Sequence, residues 1–156
     1  MRQCGFGWSC TKFTKLYDAN EIDSRVLSKI IENPAILGVG NVRVIDPVEG
    51  YLGSGNTYLL LSDFDQKRCY AVLVKRRCNN TEDLHRVIKF SNLMRMRVPS
   101  HEHCADLVAE EFNADLIDRA ATLCGIIPIA VIKMEVCKQS DSLSIVCNTL
   151  IREECM

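Results

Sequence analysis

Two short apolar runs, Thr57–Leu61 and Cys69–Val74, are the features that most constrain the fold of this chain. Both are more continuously apolar than a strand with one face in water would be. Such runs are typical of strands that other elements cover on both faces. The second run leads directly into Lys75-Arg-Arg77, and no carboxylate lies between Arg68 and Arg77. We therefore expect a buried strand that leaves the core at a basic cluster.

The pattern before these runs predicts a helix and a further strand. From Asn20 onward, Val26 and Ile30 lie on one helical stripe, and Asn33-Pro34 ends the helix because the residue before proline avoids helical backbone angles. A strand over Leu37–Ile45 follows. Because turn-forming residues separate it from the two apolar runs, the three strands are predicted to form an antiparallel meander.

The second half of the chain alternates helices and strands. A helix begins after a cap at Asn79 or Asn80 and continues to about Arg97. We then expect a strand over Cys104–Ala109, a helix capped by Asn113 and stopped at Gly125, and a strand over Ile126–Val136. Strand, helix and strand at this spacing predict a parallel pair.

The chain is about the length of one domain, with 156 residues. We expect an N-terminal arm over 1–19, an α/β domain over 20–139 and a C-terminal amphipathic helix over 140–156. The predicted terminal helix rests on Leu143, Val146 and Leu150, which follow one another at helical spacing.

Cysteine number and hydropathy bear on the compartment. The nine cysteines are an odd number, and the chain has no secretory segment, which favours an intracellular protein of the cytoplasm or nucleus, in a reducing compartment. No apolar run reaches the roughly 18 residues that a membrane helix needs, so no membrane partner is expected.

Charge is unevenly distributed along the sequence. The net charge is only -1, but residues 75 to 97 hold seven Lys or Arg side chains and two acids. Such asymmetry allows one basic face on a nearly neutral protein, as a phosphate-binding surface needs. A solvated helix face beside basic strand ends is the alternative interpretation.

Motifs of most other site classes are missing. The sequence has no dinucleotide fingerprint, phosphate-binding glycine loop or Ser-His-Asp order. His101-Glu-His103-Cys104 has only two side chains sure to share a face, fewer than the three or four ligands of a zinc site. A polar connecting loop is the better interpretation of this segment.

The element order carries a resemblance to a known family. Four sequence segments carry this resemblance: Ile31-Glu-Asn-Pro-Ala-Ile-Leu37, Asn56-Thr-Tyr-Leu-Leu-Leu61, Ala71-Val-Leu-Val-Lys-Arg76 and Ala105-Asp-Leu-Val-Ala-Glu-Glu-Phe-Asn113. Over residues 20 to 136 the chain resembles the PD-(D/E)XK nuclease superfamily, and within it the NucS-type and RecB-like endonuclease domains. This resemblance implies an α/β fold with a restriction-endonuclease-like mixed sheet and flanking helices.

The same resemblance implies that the active site is degenerate. In such nucleases, strand carboxylates hold Mg²⁺, which activates the attacking water, and a lysine helps to stabilise the developing charge. The family pattern puts Tyr58 at the aspartate position and Leu73 at the glutamate position, whereas Lys75 keeps its place. Without metal ligands the chain is expected to be inactive and to need no cofactor. A magnesium-dependent endonuclease with relocated carboxylates, such as Glu32 or Asp46, is the alternative.

A protein without these acids can still bind anions. The nucleic-acid-binding residues that we expect are Lys75, Arg76, Arg77, Arg86 and Lys89. They would contact phosphates, and the sequence does not distinguish DNA from RNA. The first hypothesis is therefore an inactive nuclease-fold protein that binds nucleic acid or belongs to a nucleic-acid-handling complex. A protein-interaction module that binds a protein partner or forms a homo-oligomer is a further hypothesis.

Overall fold

The computed structural model describes residues 24–49, 57–63, 65, 67–78, 80–139 and 141–152, so the predicted N-terminal arm lies outside it. In chain order the elements are α1 (Ser24–Glu32), a 3₁₀ turn (Pro34–Leu37), β1 (Arg43–Glu49), β2 (Thr57–Asp63), β3 (Arg68–Cys78), α2 (Glu82–Arg97), β4 (Glu102–Phe112), α3 (Ala114–Leu123), β5 (Ile129–Gln139) and β6 (Ser142–Arg152). No helix in these ranges is long and apolar enough to cross a membrane.

The strands form one six-stranded mixed sheet whose spatial order follows the chain order from β1 to β6. Antiparallel pairing joins β1 to β2 and β2 to β3, which confirms the predicted meander. Strands β4 and β5 are parallel, as the strand, helix, strand spacing predicts, and β3 is also parallel to β4. The last strand returns antiparallel to β5.

Each face of the sheet has its own apolar core. On one face, α1 and the 3₁₀ turn contribute Val26, Ile30 and Leu37. On the other, α2 and α3 contribute Leu84, Phe90, Leu116 and further buried residues. Because both faces are covered, residues 58–63 and 69–75 are all buried, which explains why their sequence shows little polar alternation.

Local sequence rules place several element ends correctly. The first helix ends at Glu32, just before Asn33-Pro34. The residue before α2 is Thr81 rather than the predicted Asn79 or Asn80, but the Asn80 side chain accepts a hydrogen bond from the Glu82 N–H. The Asn113 side chain likewise caps α3 by accepting from the Asp115 N–H at 2.8 Å. The strand predicted to begin at Leu37 begins instead at Arg43, because the 3₁₀ turn comes first.

The predicted C-terminal helix is wrong, since residues 142–152 form strand β6. Leu143, Ile145 and Cys147 alternate along this strand and pack on the α1 side of the sheet. This period of two competes with the helical spacing that predicts a helix, and pairing with β5 favours the strand. The predicted loop at residues 101–104 is also largely strand, since β4 begins at Glu102.

Candidate functional site

The β2–β3 register brings together the three residues that the resemblance assigns to a degenerate site. Tyr58 lies directly opposite Leu73, and Lys75 follows Leu73 on the same face of β3, the face that α2 covers. Tyr58 and Leu73 have no solvent exposure. The Tyr58 ring packs against Phe90 of α2, with ring centroids 4.7 Å apart and tilted by 54°. Core packing therefore occupies the positions where the resemblance implies two carboxylates.

Lys75 is buried and forms an ion pair with a carboxylate from the adjacent helix. Its Nζ donates to Asp83 Oδ1 at 2.9 Å, and Arg86 donates to the same oxygen at 2.9 Å. Only 7% of Lys75 and 1% of Asp83 are exposed. Asp83 is the second residue of α2, where the helix dipole favours a negative charge. Both cations are therefore neutralised in part by one buried carboxylate.

The Cys78 thiol also lies in this cluster. Burial raises its pKa far above the ordinary value, and the nearby Asp83 carboxylate raises it further, against the smaller opposing effect of Lys75. Because the thiolate is the reactive form of cysteine, this side chain stays a protonated thiol at neutral pH. The thiol lies near Asp83 and Lys75 in the buried cluster, and in its protonated form it is not a nucleophile.

The other predicted phosphate ligands are also paired with acids, except Lys89. Arg76 donates to Glu110 at 3.1 Å, and Arg77 lies 3.0 Å from Glu111. Burial raises the pKa of Glu110, although Arg76 opposes the shift. Lys89 is exposed on α2. The basic run in the sequence thus meets acids that belong to other elements.

The basic run is also divided between the two faces of the sheet. Val74 belongs to the core on the α1 side, and residues two apart on a strand share a face. Arg76 therefore points to the α1 side, whereas Lys75 points to the α2 side. The structure brings Lys75 and Arg86 together at Asp83 and separates Arg76 from them.

Of the two proposed relocated carboxylates, the structure describes the side chain of Glu32, which does not lie near Lys75. Glu32 is exposed at the end of α1, which packs on the opposite face of the sheet. Asp46 is in β1 opposite Leu60, and its side chain lies outside the description. Among the described residues, no three His, Cys, Asp or Glu side chains are close enough to hold a metal ion.

Sequence reasoning missed a second buried carboxylate, Asp106. It has no solvent exposure and one oxygen without a hydrogen-bond partner. Its other oxygen accepts from Arg152 of β6 at 3.3 Å, across Ala130 of the intervening strand. Burial raises the Asp106 pKa to about 6, although Arg152 lowers it. The available sequence signal was a lone acid inside the apolar run of β4.

His103 and Cys104 have structural roles. The His103 ring contacts the Val98 carbonyl at 2.7 Å through Nε2, and burial lowers its pKa. Cys104 is disulfide-bonded.

Comparison with known proteins shows that the fold is similar to that of a solved structure. No protein-family model and no curated protein matches the chain. A solved structure described as EndoMS in its apo form is similar, with a TM-score of 0.54 and 17% identity over 65% of this chain. The match spans 43% of that chain. The likeness supports a nuclease-like α/β fold, in line with the resemblance in the sequence.

Proposed function

We propose that this chain is a nuclease-fold protein that binds nucleic acid, or assists a nucleic-acid-handling complex, without cleaving phosphodiesters. The observation that carries the proposal is the Lys75–Asp83 ion pair beside the packed Tyr58 and Leu73 side chains. A lysine that acts on a scissile phosphate has to reach the substrate. Here the ammonium group is buried and bonded to a carboxylate of its own chain.

The chemistry of metal binding supports the same conclusion. Mg²⁺ prefers oxygen ligands and retains several waters, so its site needs carboxylates and open space. Tyr58 and Leu73 offer neither, since their side chains are fully buried in the core. Asp83 is the carboxylate at Lys75, and it already accepts from two cations. A metal ion bound there would lie beside two cations that are already paired with that carboxylate.

Nucleic-acid binding would use the cations that retain contact with water. Arg77 and Arg86 have side chains 41% and 38% exposed, and Lys89 is exposed on α2. Because Arg77 and Arg86 are also paired with acids, we expect weak binding that falls steeply with salt and tolerates many sequences. Phosphates in either DNA or RNA satisfy this requirement.

Two measurements test the proposal. Pure protein incubated with Mg²⁺ or Mn²⁺ and labelled single- and double-stranded DNA and RNA should yield no cleavage products. Products that disappear in Glu32→Gln or Asp46→Asn would instead establish the relocated-carboxylate nuclease. In a filter-binding titration at low salt, the wild-type protein should retain at least one of these substrates and lose it as salt increases.

A charge-matched pair of variants locates the binding surface. Arg86→Gln/Lys89→Gln removes two cations near the proposed surface, whereas Arg119→Gln/Lys133→Gln removes two exposed cations from α3 and β5. The first variant should bind at least about tenfold more weakly, and the second should resemble the wild type. Equal losses would show that overall charge alone determines binding, and no retention at any salt concentration would remove the nucleic-acid proposal.

A further inference from the structure

In the described part of the chain, strand β6 is an open edge of the sheet with few of the usual protections against strand pairing. Among the described strands it is the last in the order, and it pairs with β5 on one side only. It is 11 residues long, contains no proline, and has one charged residue, Arg152, at its end. A long, uncharged edge presents backbone N–H and C=O groups that can pair with another strand.

The opposite edge of the sheet shows the protections that β6 lacks. Strand β1 contains Pro47, which has no N–H to donate, and the charged residues Arg43, Asp46 and Glu49. A register shift between Val44 and Asp46 also interrupts its regular pairing. Proline, charge and irregularity are the devices that keep edge strands from associating. Strand β6 is therefore open to pairing with another strand, whereas β1 is protected against it.

The side chains of β6 also favour association. Val146 and Leu150 are large apolar residues that are 53% and 47% exposed. The register with β5 is regular from Ser142 to Thr149, a stretch of roughly 27 Å at a rise of about 3.4 Å per residue. Its alternate residues Leu143, Ile145 and Cys147 pack in the core, which holds the strand in place. The edge is therefore both preformed and partly apolar.

We infer that β6 is a homodimer interface, at which two copies of this chain pair antiparallel through this strand to form one continuous sheet. A second copy fits because the regular stretch carries no charge, so that identical edges meet without repulsion. In this pairing the two-fold axis is perpendicular to the sheet. The faces that carry α1 therefore lie on the same side of the extended sheet in both copies. Such an axis near the middle of residues 142–149 brings Val146 of each copy next to its equivalent.

Sedimentation equilibrium and light scattering on the full chain test this inference. The wild type should show reversible, concentration-dependent dimer formation. Val146→Lys places two ammonium groups near the axis and removes two apolar side chains from the interface, so self-association should weaken at least about tenfold. The matched control is Ile45→Lys on β1, where the side chain is 44% exposed, and it should dimerise like the wild type.

Hydrogen exchange supplies an independent measurement. Amide protons of residues 142–149 should exchange more slowly as the wild-type concentration rises, and this change should be absent in Val146→Lys. Because Val146 lies on the exposed side of the strand, the variant should keep the wild-type circular dichroism spectrum. A monomeric wild type, a dimer linked by disulfides on a non-reducing gel, or a dimer weakened only by Ile45→Lys would each overturn the inference.

Discussion

Neutralising Asp83 should destabilise the fold much more than neutralising Lys75, although the two side chains form one ion pair. At 2.9 Å and an effective dielectric constant of about 20, their attraction is roughly 6 kcal/mol before the cost of desolvating both charges. Asp83→Asn leaves the Lys75 ammonium, which is 7% exposed, without a counter-charge. Breaking a buried pair from one side costs about 3–5 kcal/mol.

Replacing Lys75 is expected to cost less because Asp83 has other support. In Lys75→Met the carboxylate still accepts from Arg86 at 2.9 Å and still lies in the first turn of α2. We expect a loss of about 1–2 kcal/mol. The double variant should lose less than the two single variants together, because it buries no unpaired ammonium group.

Urea unfolding of the wild type, both single variants and the double variant at neutral pH measures these free energies. The Arg77–Glu111 pair is a suitable control, since its 3.0 Å separation is similar but its side chains are 41% and 66% exposed. Arg77→Met/Glu111→Gln and the matching single variants should show a coupling of at most about 1 kcal/mol. Equal costs for Asp83→Asn and Lys75→Met, or additive effects in the double variant, would refute the asymmetry.

Three further predictions concern a buried acid, a helix cap and a glycine with positive φ. The raised pKa of Asp106, about 6, means that its contribution to stability is full below about pH 4 and is lost as the pH rises through 6. The cost of Asp106→Asn should therefore be larger at pH 3 than at pH 7, by up to about 3 kcal/mol in denaturant titrations; a cost independent of pH would contradict this. Asn113→Ala removes the α3 cap and should cost about 1 kcal/mol in the same assay, and no loss would mean that the cap is dispensable. Gly38→Ala should cost about 1–2 kcal/mol because φ is +79°, whereas Gly125→Ala, with open space around it and no positive φ, should be neutral; equal costs would show that backbone strain is not the cause.

The sequence predicts structure best where neighbours along the chain decide it. Asn113 and Asn33-Pro34 act within one helical turn, so the corresponding helix ends follow from local chemistry. Strand β6 is different, because Leu143 belongs to both a helical and a strand pattern. Pairing with β5 selects the strand, and that tertiary contact is not visible in a short window of sequence.

The ion pairs of the candidate site also depend on tertiary contacts that a short window of sequence does not show. The buried strand before Lys75 follows from the sequence, but the strand continues to Cys78 and Lys75 stays in the core. Its partner Asp83 depends on how α2 packs back onto the sheet. Glu110 and Glu111 come next to the basic run only because β3 and β4 are parallel and in register. A prediction of charge pairs therefore needs the strand register as well as the residue types.

These ion pairs reduce the positive charge that the basic run presents to a ligand. Seven basic residues lie in a short stretch of sequence, yet three acids from α2 and β4 neutralise much of that charge in space. The cations that retain solvent contact lie on or near α2, which packs on β3 and β4. Strand β6 is two positions beyond β4, roughly 10 Å away at the usual strand spacing. A dimer formed through β6 would leave the α2 surface open, and its perpendicular two-fold axis would put both α2 helices on the same side of the extended sheet. Two weak phosphate-binding surfaces on one side can engage one long polyanion together, so self-association would compensate for the charge that the ion pairs remove.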